Sequence, residues 1–499
     1  MNINSVDARS LASRGGASFN LLGGSGGSAT WHRRTPRIGG RIDGVVSHGT
    51  SANNLIIGSP GGGIWRTTDN GSTWTQPASY GMGDFTILHL EWDRIDSSRL
   101  LAVTPMTVYA STDNGDNWSN IGGYSTPPYL WHKDSRYAAL GNDPVGFAQL
   151  KFSSTARTLL WARPCDGLLY STNGTSFSHL WPFSNSSSNI DNCILAVAAD
   201  DDEGRVYFAT ARTETNSPPR IYRSNCQWTS TGPCCTTPDT CWTLIDSGLP
   251  NQSTVMGLTW TGYPDDFSAQ LYLNTGTSRV YNTYDGSSWS ATTAFSSTQW
   301  APRHVVHAGG MSNQLFANNL LPEQTTNLGS SWSDFWTSNL HADTRAVYLD
   351  SSRGYLWAAT DGAGNNGAEY NLARWSWSIN NAPTSPTNVP VTGTSGLPIW
   401  QPYYVVETPS GTSSVRLFMG SQDNNGLCSD DRGVNWTTSG ASMFFGDEIS
   451  MVISGNRAYA WGNSNTLRRS DDAGNLSASC SDVAWTSTTS TGLGAPPSV

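Results

Sequence analysis

The sequence predicts an all-β protein, a single large β-propeller of about nine four-stranded units, within one either way. Three observations lead there. A turn signature recurs, as Thr67-Thr68-Asp69-Asn70-Gly71-Ser72-Thr73-Trp74, as Ser111-Thr112-Asp113-Asn114-Gly115-Asp116-Asn117-Trp118 and as Ser429-Asp430-Asp431-Arg432-Gly433-Val434-Asn435-Trp436. Between the copies lie short aliphatic and aromatic runs bounded by Gly, Asn, Asp and Ser, the pattern of short strands. The composition is also that of a sheet protein. Of 499 residues only 13% are charged, while Gly numbers 51, Trp 22 and Tyr 18, a balance that suits a large core and excludes a disordered chain.

The first unit sets the template. Arg41 to Val46 reads as an innermost strand, Asn54 to Gly58 as a second and Gly61 to Arg66 as a third running into the first turn; a fourth follows Trp74. In the turn, Asp or Asn accepts hydrogen bonds from the turn's own N–H groups, and Gly takes the positive φ that a tight hairpin needs. The Trp three residues on opens the next strand and folds its ring over the hairpin. Asp69, Gly71 and Trp74, Asp113, Gly115 and Trp118, and Asp431, Gly433 and Trp436 are therefore assigned structural roles. Worn copies fill the same slot at Asn173-Gly174, Asp285-Gly286, Asn327-Leu328-Gly329 and Ser470-Asp471-Asp472.

The template then repeats. A second unit starts near Thr86 and uses Leu100 to Val103 and Val108 to Ser111; a third uses Leu159 to Ala162 and Leu168 to Ser171. A fourth uses Arg205 to Ala209 and carries a Cys-rich insertion before Trp242; a fifth uses Gln270 to Leu273 and a sixth Gln314 to Ala317. The seventh starts at His341 and contains Tyr355 to Ala359, the eighth contains Arg416 to Gly420 and the ninth Arg457 to Trp461. Residues 380–397, rich in Pro, Thr and Ser, read as a long loop between units, and residues 1–30 as a Gly/Ser-rich arm before the propeller of residues 31–499. Each twisted sheet must bury two faces, and closure into a ring does so for every unit.

Charge and cysteines bound the function. A net charge of −10 argues against nucleic acid as a partner, since phosphate binding needs a basic face. No run of about twenty apolar residues occurs, so no membrane span is expected. Met1-Asn2-Ile3-Asn4-Ser5 lacks the basic start and apolar core of a signal peptide. Cys226, Cys234, Cys235 and Cys241 crowd one insertion with no Cys-x-x-Cys pair and no accompanying His. Disulfides stapling a long loop are expected there rather than zinc. Cys428 and Cys480 fall near the hairpins of the last two units and are expected to pair. Disulfides imply an extracellular, periplasmic or cell-surface location. No cofactor is expected; a structural cation such as calcium is left open, and no metal ligands are assigned.

The turn signature resembles the Asp-box, or BNR, repeat of sialidase-like and sortilin-like β-propellers. In that family the box closes the hairpin between the third and fourth strands of a blade, on the face away from the ligand. The resemblance covers about residues 31–475 and extends to Leu340-His341-Ala342-Asp343, Ala359-Thr360-Asp361-Gly362, Gly420-Ser421-Gln422-Asp423-Asn424, Gly446-Asp447 and Gly39-Gly40-Arg41. Many relatives carry a glycosyl hydrolase label. Arg345 stands where relatives commonly have a second His, and the second-to-third loop of the first unit, Gly58-Ser59-Pro60-Gly61, lacks the carboxylate of a xyloglucanase. Pro36-Arg37-Ile38 has the wrong order for the Arg-Ile-Pro segment of a sialidase. Neither activity is expected.

Blade geometry puts the starts of first strands and the second-to-third loops on one face, here the upper face. Arg41, His341, Asp361, Gln422, Asn424, Asp447 and Glu448 are the ligand-binding candidates, and Asp343 with Asp423 the candidate catalytic pair. Two such carboxylates can hydrolyse a glycosidic bond, one protonating the leaving oxygen and one activating water. Trp300, Trp400, Tyr403 and Tyr404 are candidate sugar-stacking platforms. The expected role is recognition of glycan or protein through the upper face. A glycoside hydrolase and a ligand-free scaffold or secreted cargo are the alternatives.

Overall fold

A computed structural model describes residues 40–51, 53–123, 146–162, 167–183, 193–210, 218–234, 240–251, 253–260, 267–273, 278–283, 288–295, 305–308, 313–337, 340–362, 370–389, 402–407, 416–421, 426–431, 435–438, 448–462, 467–477 and 479–488. Among these the chain forms nine antiparallel sheets, each a meander with strands in chain order; eight have four strands and the first has three. The first sheet is Gly44–Ser47, Leu55–Ser59 and Gly63–Thr67, with its fourth strand reduced to a bridge between Arg66 and Thr75. The sixth runs from Val305–His307 to Ser333–Asp334, the seventh from Thr344–Asp350 to Thr384–Asn388, the eighth from Pro402–Glu407 to Thr437–Thr438 and the ninth from Glu448–Ser454 to Thr486–Thr488. No α-helix occurs among the described residues, and no helix there is long and apolar enough to cross a membrane. The architecture is an all-β propeller, the class read from the sequence.

Apolar seams show which sheets are neighbours. Ile56 and Ile64 of the first sheet pack on Leu90 and Leu100 of the second. A Cβ at Gly44 would stand 2.9 Å from the backbone N of Leu90, so glycine sets how closely these two sheets approach. Leu101 and Val108 of the second meet Leu159 and Trp161 of the third, and equivalent seams join the third to the fourth, the fourth to the fifth and the fifth to the sixth. Phe316 of the sixth lies against Leu356 and Trp375 of the seventh. The seventh then returns to the first, with Trp357, Ala359 and Leu372 packed on Ile42, Leu55 and Ile57. A sheet has two faces, and those of the first are taken by the second and the seventh. Among the described residues the apolar seams therefore run through seven sheets and back to the first, while the eighth and ninth share a seam around Phe418, Met451 and Ala460. Nine sheets are seen among the described residues, and the apolar seams described there link seven of them into a closed run. Strand periodicity counts units but does not say which faces meet.

The recurrent turns lie between third and fourth strands and share one bonding scheme. Gly71 and Gly115 donate to the hydroxyls of Thr67 and Ser111 at 2.9 Å, and those hydroxyls donate to Asp69 and Asp113 at 2.8 Å. The same aspartates accept the backbone N–H of Thr73 and Asn117 at 2.8 Å. Asp431 repeats this with Ser429 and Asn435, and Asn327 with Thr325 and Ser331. Gly71 and Gly115 adopt φ of 84° and 95°. Trp118 is buried in the seam of the first and second sheets and donates its indole N–H to Gly115 O at 2.9 Å. Trp74 lies against the seam of the first and seventh sheets, and Trp436 against Met419 and Leu427. Gly433, Asp285 and Gly286 are outside the described residues, as are residues 1–30.

Residues 380–397 were expected as a loop, yet Thr384–Asn388 is the outer strand of the seventh sheet. Pro386 disguised it. An outer strand has one unpaired edge, where a missing N–H costs no ladder bond. Disulfides join Cys226 to Cys234 and Cys428 to Cys480, the latter stapling the eighth sheet to the ninth. Beside it the fully buried Arg416 donates to Asp430 at 2.6 Å and to Ala473 O at 3.1 Å.

Burial pushes the Tyr207 hydroxyl of the fourth sheet up to about 12, against the nearby Arg223. The unfolded chain ionises this phenol near its ordinary value, so folding loses stability as pH rises from there through about 12. Tyr207→Phe should flatten the slope of unfolding free energy against pH in that window by up to about one proton. Guanidinium titrations at stepped alkaline pH would measure it, and an unchanged slope would remove Tyr207 from the account.

Candidate functional site

The upper rim where the sixth, seventh and first sheets meet gathers several buried polar groups, among them Arg41, Asp43, Asn318, Asn319, Asp361 and Asn371. The register places it. Gly40 bridges Gly362 in antiparallel sense, and Ile42 N donates to Thr360 O at 3.1 Å. The leading segment thus adds to the end of the seventh sheet's second strand and sets Arg41 opposite Asp361. Asn371 fastens it, with Nδ2 donating to Gly40 O at 2.6 Å. From the other side comes the sixth sheet's second-to-third loop. Leu320 O accepts from Asp343 N at 2.7 Å and Asn319 O from Thr344 N at 2.9 Å.

A bulge aims the central charge. The register between the first two strands of the seventh sheet shifts between Thr344 and Ala346, a bulge that re-aims the side chain of Arg345 toward the rim. Its Nε donates to Asp361 Oδ2 at 2.9 Å and Nη2 donates to the same oxygen. Asp361 is buried, with 1% of its side chain exposed. Similar shifts occur near the start of the first strand in the fourth, fifth, eighth and ninth sheets. Arg41 and Asp43 form a second buried pair, Nε to Oδ1 at 2.7 Å and Nη2 to Oδ2 at 2.5 Å.

His341 and Asp343 stand beside Asp361, one ligating atom of each within 4.8 Å of the others. Asp343 has φ of 63°, in the left-handed region that Asp tolerates better than most residues. His341 Nδ1 lies 2.7 Å from Ala342 O and 3.7 Å from Asp361 Oδ1. The structure thus brings together four of the candidates, Arg41, His341, Asp343 and Asp361. Gln422, Asp423, Asn424 and Asp447 lie outside the described residues, and of Glu448 only the strand is described. Trp300 and Trp400 lie outside as well, and Tyr403 and Tyr404 are described only as part of a strand. Asp343 therefore has Asp361 as its described carboxylate neighbour. That carboxylate is buried and held by Arg345, which withdraws it from a substrate's reach.

Sequence reasoning did not pick out Asn318, Asn319 and Glu323, all almost fully buried at this rim. Asn318 Nδ2 donates to Arg345 O at 2.9 Å and Asn319 Nδ2 to Glu323 Oε1 at 3.3 Å. The signal was present. Leu315-Phe316-Ala317-Asn318-Asn319 has the same form as Leu356-Trp357-Ala358-Ala359-Thr360-Asp361 and Leu417-Phe418-Met419-Gly420-Ser421-Gln422-Asp423, a second strand running into a polar loop on the same face.

No protein-family model matches this chain, and no curated protein does. Among solved structures it is similar to a GH74 enzyme of Niastella koreensis, at 16% identity and a TM-score of 0.51, over 91% of this chain and 73% of that one. It is also similar to the GH74 xyloglucanase of Xanthomonas campestris, at 13% identity and a TM-score of 0.51, over 88% of this chain and 80% of that one. At these identities the likeness establishes the fold: the chain is a β-propeller protein.

Proposed function

We propose that this protein recognises glycans through the upper rim of the sixth, seventh and first sheets. The observation that carries this reading is the rim's construction: partly exposed His341 and Asp343 stand beside buried Asp361, which is held by the partly buried Arg345, and near the buried Arg41–Asp43 pair. Sugar hydroxyls are bound by such fixed donors and acceptors, held by packing rather than by flexible loops. The fold likeness to a xyloglucanase supports a polysaccharide over a peptide as ligand. The disulfides support an oxidising, extracytoplasmic location where polysaccharides occur. Binding is favoured over hydrolysis because Asp361, the described carboxylate beside Asp343, is committed to Arg345.

Affinity electrophoresis through gels containing soluble polysaccharides tests this. At least one glycan should retard the wild-type chain, and His341→Ala or Asp343→Asn should weaken that retardation by about tenfold or more, the scale of one lost charged hydrogen bond. Absence of retardation across a broad panel would sink the reading. Release of reducing ends that Asp343→Asn and Asp423→Asn both abolish would replace it with a glycoside hydrolase.

A further inference from the structure

We infer that His341, Asp343 and Asp361 bind a divalent transition-metal ion. Their ligating atoms lie within 4.8 Å of one another, close enough for small side-chain movements to surround one ion. A second observation points to a ligand. Asp361 is 1% exposed, and its Oδ1, the oxygen 3.7 Å from His341 Nδ1, accepts no hydrogen bond. A buried carboxylate oxygen without a donor is costly unless a cation meets it.

The surrounding shell suits a metal. Arg345 occupies Oδ2 and leaves Oδ1 as the oxygen turned to the cluster, as outer partners orient ligating carboxylates. Ala342 O, 2.7 Å from His341 Nδ1, can only accept, so Nδ1 carries the proton and Nε2 keeps the lone pair of a ligating imidazole. Asp343 and Asp361 bring two carboxylates together here, and a divalent ion would offset their mutual repulsion. One imidazole with two carboxylates matches Zn²⁺ or Mn²⁺; Ca²⁺ prefers a shell of oxygens alone.

The inference is independent of the glycan reading, since its test needs neither sugar nor turnover. Chelator-treated full-length chain is titrated separately with Zn²⁺, Mn²⁺ and Ca²⁺, by calorimetry and by thermal melting. Zn²⁺ or Mn²⁺ should bind at about one equivalent and raise the melting temperature, because an ion that binds only the folded state stabilises it. His341→Ala and Asp343→Asn should each weaken binding by at least about tenfold, while His179→Gln, a histidine far from the rim, should not. Both residues are partly exposed, so their variants are expected to fold, and the melting curve of each without metal checks it. Failure of Zn²⁺ and Mn²⁺ to bind, or equal binding by His341→Ala, would overturn the inference. Binding of Ca²⁺ alone would overturn the choice of a transition metal.

Discussion

Trp357→Ala is expected to destabilise the protein by about 3–5 kcal/mol, the cost of emptying a large aromatic site in a packed core. Trp357 is 1% exposed and sits in the seam that joins the seventh sheet to the first, among Ile42, Leu55, Ile57 and Leu372. Other seams join sheets that follow directly in the chain, so chain connectivity holds their partners close. This one joins strands about three hundred residues apart, as the bond between Ser47 and Tyr348 across 301 positions illustrates. Its contacts must offset the closure of the longest loop in the ring, although that entropy grows only slowly with length. Polar bonds assist but do not replace the apolar area: Arg353 Nη1 donates to Ser47 Oγ at 2.9 Å, and Asn371 to Gly40. The variant should lower the guanidinium midpoint and melting temperature, whereas Val452→Ala, at a side chain 56% exposed, should shift stability by no more than about 0.5 kcal/mol. A Trp357→Ala loss below about 1 kcal/mol would mean that the ring is not closed by this seam.

Local chemistry made much of the fold legible. Leu168 to Ser171 and Arg457 to Trp461 could be read as strands because short apolar runs between turn formers have few alternatives. The Asp69 and Asp113 turns could be read because their bonds are made within a few residues. What escaped was set at longer range or by a single backbone irregularity. The return of the seventh sheet to the first depends on which faces are complementary, information held jointly by Ile57 and Trp357 and by neither alone. Thr384–Asn388 was hidden by a proline that an outer strand tolerates. At the rim, His341, Asp343 and Asp361 were found by counting from strand ends. The role of Arg345 was not, because the bulge between Thr344 and Ala346 turns it to the rim and no residue type announces that bulge. Glu323 was passed over because nothing in its sequence neighbourhood signals burial, whereas in the fold it is fully buried and accepts from Asn319.

Asp93→Ala is expected to cost a further 3–5 kcal/mol in its own right, through charge rather than volume. The Asp93 carboxylate is 0% exposed. Its Oδ2 accepts from Arg99 Nη1 at 2.8 Å and from Arg157 Nη2 at 2.6 Å, and its Oδ1 from Ile95 N at 3.1 Å. Arg99 comes from the second sheet and reaches Gly174 O in the third, and Arg157 lies within the third with 4% of its side chain exposed. One buried carboxylate therefore ties two neighbouring sheets. Its removal leaves two guanidinium groups in a poorly solvated seam, with the cationic charge of Arg157 least able to reach water. Asp93→Asn should be milder than Asp93→Ala, since the amide oxygen can still accept from Ile95. The decisive comparison is Asp93→Leu combined with Arg157→Met. Replacing a buried pair by apolar groups of similar volume is often neutral, so the double variant should recover more than half of the loss caused by Asp93→Leu alone, measured as guanidinium midpoints. Recovery would show that the network sets register between the second and third sheets without adding net stability. A double variant no more stable than Asp93→Leu alone would instead show that the intact network stabilises the seam, with Arg99 and Gly174 completing hydrogen bonds that outweigh the cost of burying its charges, and strictly additive losses would mean that Asp93 and Arg157 are not coupled.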